Sequence, residues 1–159
     1  MIEYYRPIRK LIRKRKLKGL SNAEIDELTK KLDVFFPASI FEALQIFGYH
    51  ALDLNGANAA IHKNTGLLDT SRYDLIDAEF QKDYHKFVGE YPPEDYFLID
   101  TWEQSYYYVF ILLEERQPDP KVYFYQPSPN SEGYRLGAPT YSHYLLNSSL
   151  INFYRSTRR

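Results

Sequence analysis

Residues 96–113 read YFLIDTWEQSYYYVFILL. Two strand-forming runs flank a short polar break. Tyr96-Phe97-Leu98-Ile99-Asp100 reads as one strand. Ser105 to Leu113 reads as a second, unbroken in aromatic and branched residues. A strand with one wet face alternates apolar and polar side chains; this one does not, so it is expected in the centre of a sheet. Downstream, Gln117-Pro118-Asp119-Pro120 is a turn and Val122 to Tyr125 a third strand. Pro127 to Gly133 is a loop. Thr140 can cap a closing helix, with Leu145, Leu146, Ile151 and either Phe153 or Tyr154 turned to the core.

Upstream the period changes. Ser21 and Glu24 form an S-x-x-E capping box, and Ile25, Leu28 and Leu32 follow at helical spacing, so residues 22–32 are expected to be helix. Pro37 suits the start of another helix, with Ile40, Phe41, Leu44 and Phe47 on one face and Gly48 as its C-cap. Ile76, Phe80, Tyr84 and Phe87 space like a further helix, capped by Asp69 or Ser71 and stopped by Tyr91-Pro92-Pro93. Asn55-Gly56 and Asn64-Thr65-Gly66 are turn signals, and Leu67-Leu68 a short strand. Helices, then an antiparallel meander, then a closing helix make an α+β fold and not a βαβ repeat.

The formal net charge of −1 over 159 residues hides two regimes. Residues 1–18 carry Arg6, Arg9, Lys10, Arg13, Lys14, Arg15, Lys16 and Lys18 against Glu3 alone, a net +7. Residues 19–154 sum to −11. Ile8, Leu11 and Ile12 give the basic segment a narrow apolar stripe, and Gly19 is expected to end it. The chain therefore divides into a basic helix or arm, residues 1–19, and a single domain, residues 20–159. One domain of this length buries about two-thirds of its surface without a metal or disulfide.

Cysteine is absent. That excludes disulfides, thiolate metal sites and thiol nucleophiles. No apolar run reaches the ~18 residues of a membrane span. The charged N-terminus is not followed by a signal-peptide core, so a cytoplasmic location is expected. His50, His62, His85 and His143 are scattered, and no phosphate-cradling glycine loop or nucleophile elbow occurs. Neither a cofactor nor a metal is expected. Asp100 and Glu103 flank Trp102. Paired carboxylates can do acid–base work, but carboxylates near a strand turn are mostly solvated. Tyr106-Tyr107-Tyr108 and Tyr123-Phe124-Tyr125 are better explained by cross-strand packing than by stacking on RNA. Asn147-Ser148-Ser149 matches a glycosylation sequon but falls in the expected closing helix.

The order Leu20-Ser21 to Leu32, then Phe36-Pro37-Ala38-Ser39-Ile40-Phe41 to Phe47-Gly48, resembles the opening of the SUKH superfamily, the Smi/Knr-like proteins. Asp95 to Asp100, Val122 to Tyr125, and Thr140 to Leu146 resemble its strand blocks and closing helix. Phe47-Gly48 stands where Asn-Gly is common, and Pro92-Pro93-Glu94-Asp95 replaces a Gly-rich turn. The basic arm lies outside the pattern. The resemblance implies a non-enzymatic protein-binding domain. In bacteria such domains are commonly immunity proteins that neutralise a cognate toxin, often a nuclease; fungal relatives regulate cell-wall synthesis as scaffolds.

An acidic body would be steered toward the positive face of a nuclease toxin. Aromatic anchors beside carboxylates are the expected contacts: Trp102, Tyr106 and Tyr107 with Asp95, Asp100 and Glu103, taken as crowding one end of the sheet. Three alternatives stand beside this reading. The chain could be a scaffold binding a host protein, it could bind nucleic acid or an anionic membrane through residues 6–18, or, last in rank, it could be a hydrolase using Asp100 and Glu103.

Overall fold

The computed structural model describes residues 1–54, 60–102 and 107–157. A 3-10 turn leads into α1 (Arg9–Arg15), followed by α2 (Asn22–Leu32) and α3 (Ala38–Phe47). A small hairpin, β1 (His62–Asn64) and β2 (Leu67–Asp69), precedes α4 (Ser71–Val88). Next come β3 (Tyr96–Trp102), β4 (Tyr107–Leu112), β5 (Val122–Tyr125) and β6 (Arg135–Ala138). Two short helices, α5 (Tyr141–Leu146) and α6 (Ser149–Ser156), complete the described chain. The fold is α+β, and the main sheet is an antiparallel meander in the order β3-β4-β5-β6.

The unalternating run forms β4, hydrogen-bonded on both edges. Its residues are apolar on both sides because both faces of the sheet are covered. On one face Phe80 of α4 is fully buried, its ring 5.0–5.9 Å from those of Tyr96, Tyr108, Phe110 and Tyr125. On the other, Phe97, Ile99, Val109, Ile111 and Val122 share a core with Ile40 and Leu44 of α3, Tyr141 and Leu145 of α5, and Ile151 of α6. One tyrosine from each tyrosine-rich triplet serves this packing: Tyr108 and Tyr125 are essentially inaccessible.

The capping box is present as spelled: the Glu24 amide donates to Ser21 Oγ at 3.3 Å, and the Glu24 carboxylate accepts the Ser21 amide at 2.9 Å. The turn at 117–120 does more than reverse the chain. The Pro118 carbonyl accepts the Ser39 amide (2.9 Å) and the Pro120 carbonyl accepts that of Tyr141 (2.7 Å). Asp119 accepts the Ser142 amide at 3.0 Å. One loop thus satisfies orphan donors at the starts of α3 and α5.

The basic segment is docked, not free. Tyr5, Ile8 and Ile12 are buried in the same core as the sheet. The Tyr5 hydroxyl donates to the Ser39 carbonyl at 2.8 Å, and the Glu42 carboxylate accepts the amides of Glu3 and Tyr4. The cations face outward: all eight are exposed except Arg15, which is half-buried.

Several details differ from expectation. The first helix ends at Arg15, with Lys16 in the left-handed region (φ 52°), and not at Gly19. Gly19 instead lies against the end of α3, where its amide and that of Leu20 donate to the Gln45 and Leu44 carbonyls at 2.9 Å. The Asn64-Thr65-Gly66 signal is a two-residue hairpin turn; Thr65 and Gly66 both have positive φ, as a type I′ turn demands. Strand β6 has no strong β signature. Gly137 sits there because a Cβ would fall 2.4 Å from the Phe124 ring. The closing helix is two helices: Ser148 interrupts it, donating through Oγ to the Leu145 carbonyl at 2.6 Å. Asn147 of the sequon therefore lies exposed at that break, not within a helix. The Asn55-Gly56 turn lies outside the described residues.

A Cβ at Gly19 would stand 2.2 Å from the Leu44 carbonyl oxygen and 2.4 Å from the Gly48 nitrogen, both rigid backbone. Gly19→Ala is expected to destabilise the fold by about 2 kcal/mol or more. Urea unfolding measures it; a midpoint equal to that of the native chain would show that this approach is slack.

Candidate partner-binding site

The site begins with an irregularity in β3. Pairing with β4 runs Leu98 to Phe110 and then Asp100 to Val109, so Ile99 is an extra residue, a β-bulge. Strict alternation from Phe97 would have sent Asp100 and Trp102 to the α4 face. The bulge resets the alternation and turns both toward α5.

There Asp100 is buried, at 5% exposure. One carboxylate oxygen accepts the Thr101 amide at 2.9 Å and the other accepts the Tyr144 hydroxyl at 3.0 Å. The Trp102 indole nitrogen in turn donates to the Tyr144 oxygen at 2.9 Å. A buried carboxylate thus fixes a tyrosine, and the tyrosine fixes an indole. Trp102 also packs its ring against Phe124 (5.8 Å) and half-buried Tyr107 (6.2 Å, 67°), its cross-strand partner. With two side-chain torsions and this much support, the indole is held rigidly while 36% of the residue stays exposed. Next to the relay, Tyr141 donates to the Ala51 carbonyl at 2.6 Å. Burial, and then the Asp100 charge, push its phenol well above the ordinary value, so it stays protonated.

The six expected contact residues are therefore not one cluster. Trp102 and Tyr107 are together. Asp100 is corrected from a solvated turn carboxylate to a buried support for Trp102. Glu103 and Tyr106 lie outside the described residues. Asp95 sits at the opposite end of β3, roughly 20 Å from Trp102 at the usual rise per residue. It borders a different cleft of ≈ 610 Å³, with Phe35, Pro37 and Arg116 among its walls.

Phe35 is the surface residue the sequence reading passed over. It is 89% exposed, whereas neighbouring Phe36 is buried against Phe97. Val34 and Phe36 are buried with Phe35 exposed between them, an alternation of side-chain direction like that of extended backbone. Among the described residues no group of His, Asp and Glu side chains could hold a metal ion, and no helix is long and apolar enough to cross a membrane.

The model of the SMI1 / KNR4 family (SUKH-1) matches residues 19–155. It starts at the glycine that seals α3 and includes every main-sheet strand. No curated protein and no solved structure matches significantly.

Trp102 is the single tryptophan of the chain, so its fluorescence reports this relay alone. Tyr144→Phe removes the acceptor of the indole N–H. The expected result is a shifted emission maximum and a loss of about 1 kcal/mol. Asp100→Ala leaves the Tyr144 hydroxyl without its acceptor and should cost about 1–3 kcal/mol. Unchanged emission in both variants would show that the relay does not set the indole.

Proposed function

The chain belongs to the SMI1 / KNR4 family (SUKH-1), and from that premise we propose that it is a non-enzymatic, cytoplasmic immunity protein of bacterial type. It binds a cognate toxin of the nuclease kind and blocks the toxin's active face. The partner-binding unit is the domain from residue 20 onward, with residues 1–19 docked on it.

The observation that carries this reading is the locked, half-exposed Trp102. An interface needs a few desolvated anchors, and Trp and Tyr are favoured because they bring large area at small entropic cost. Trp102 has already surrendered its freedom to Tyr144 and Asp100, so binding need not order it. Charge supplies the other half. A nuclease must attract a polyanion, so its active face is positive. The net charge of −11 over residues 19–154 speeds encounter with such a face and guides orientation. Glu103 and Tyr106, adjacent in sequence, complete the proposed contact set with Tyr107. Asp100 acts from behind by positioning the indole.

The test is co-expression with the product of the adjacent gene, followed by co-purification and a cell-survival assay. Trp102→Ala is expected to weaken the complex by tenfold or more, since central aromatic anchors lose about 2 kcal/mol or more on truncation. Phe35→Ala is the matched comparison. If Phe35→Ala breaks the complex and Trp102→Ala does not, the contact surface lies at the Asp95 cleft. If the native protein neither binds nor protects, the immunity reading falls.

A further inference from the structure

The C-terminal turns of α1 and α6 lie side by side and enclose a cleft of ≈ 630 Å³. Its walls carry Lys14, Arg15, Lys16 and Arg155, with Phe153 and Tyr154 between them. Among the described residues no aspartate or glutamate lines it, although the domain is strongly acidic elsewhere. None of the four cations has a carboxylate within ion-pair distance among the described residues.

Their helix-end positions explain some of this positive charge. Cations near a helix C-terminus oppose the macrodipole, but one per end suffices. Here two helix ends collect four. Arg15 is committed by its guanidinium to the Thr157 carbonyl, and its enclosed Nε has no acceptor among the described residues. Lys14, Lys16 and Arg155 are exposed. The aromatic pair divides its labour. Tyr154 stacks inward on Phe47 at 6.0 Å, fixing the floor to the core. Phe153 turns outward and is 59% exposed, edge-on to Tyr154 at 5.6 Å.

We propose that this cleft binds single-stranded nucleic acid. Cations flanking a groove track a phosphate backbone, and an outward aromatic ring offers a face on which a base stacks regardless of its identity. A flat anionic bilayer would meet the rim of such a cleft and leave its floor untouched. Duplex nucleic acid keeps its bases stacked on one another and cannot use Phe153. None of the residues lining the cleft is among those that hold Trp102.

The experiment titrates the full chain into a fluorescein-labelled oligouridylate and follows anisotropy from about 50 to 200 mM salt. Phosphates neutralised by the three exposed cations and by the charge that Arg15 retains beside them predict a log–log salt slope near −3, at about −0.7 per neutralised phosphate for single strands. Lys14→Ala/Lys16→Ala/Arg155→Ala should bring the slope close to −1 and weaken binding at low salt at least tenfold. Phe153→Ala should weaken binding at least about fivefold without changing the slope, because stacking is uncharged. Arg6→Ala/Arg9→Ala/Lys10→Ala, on the same segment but away from the cleft, should leave both affinity and slope unchanged. Equal losses in the two triple variants would reduce the effect to diffuse attraction by the basic segment and overturn the site. Absence of binding at low salt would overturn it too. So would binding to phosphatidylserine vesicles but not to the oligonucleotide.

Discussion

A four-stranded sheet that is apolar on both faces cannot stand in water. Covering it is the constraint on which the rest of the molecule depends. Phe80 plugs one face as the hub of a ring of tyrosines. The other face needs more helical surface than α3 alone supplies, so α5, α6 and the N-terminal segment are all drawn onto it. The 117–120 loop keeps that cover in register by satisfying the starts of two of those helices from one turn. Burial provides the free energy, and the loop's hydrogen bonds decide where the helices begin.

Local chemistry was readable where one residue's role is set by neighbours in sequence. Ser21 and Glu24 name a helix start, and the span 22–32 follows. The aromatic density of 107–112 names a covered strand. What escaped is set by distant partners. Tyr5 reads as one aromatic before a basic run; only the Ser39 carbonyl and the edge of Phe47, met in three dimensions, explain its complete burial. Gly137 in β6 is intelligible only beside the Phe124 ring. Ser148 divides α5 from α6 because its hydroxyl takes a backbone carbonyl and the next turn is held by the Leu54 carbonyl. Leu145 lies only three residues back, but Leu54 is too far away in sequence to advertise itself.

The site was half legible for a comparable reason. Alternation along a strand assigns faces, and one extra residue inverts the assignment. Nothing in Leu98-Ile99-Asp100 announces that Ile99 is left out of the pairing, so Asp100 looked like a solvated acid at a strand end. Trp102 and Tyr107 could be paired because they flank a short break between two strands. Asp95 belonged to the same stretch of letters but stands at the far end of β3. Proximity in sequence is a poor guide to proximity in space along an extended chain.

The docking of α1 on α6 also bears on how the chain matures during synthesis. A seven-residue helix with five cations and no acid in its first turn has little stability alone. Its anchor, Tyr5 on α3, forms only after residue 47 has left the ribosome, and its second wall, α6, is among the last elements made. The cationic segment therefore emerges early and settles late. Until α3 and α6 have been made, the segment lacks the partners that hold it in the folded chain. Apolar packing, not charge pairing, fixes it there: Tyr5, Ile8 and Ile12 enter the core, and among the described residues none of its cations has a carboxylate within ion-pair distance.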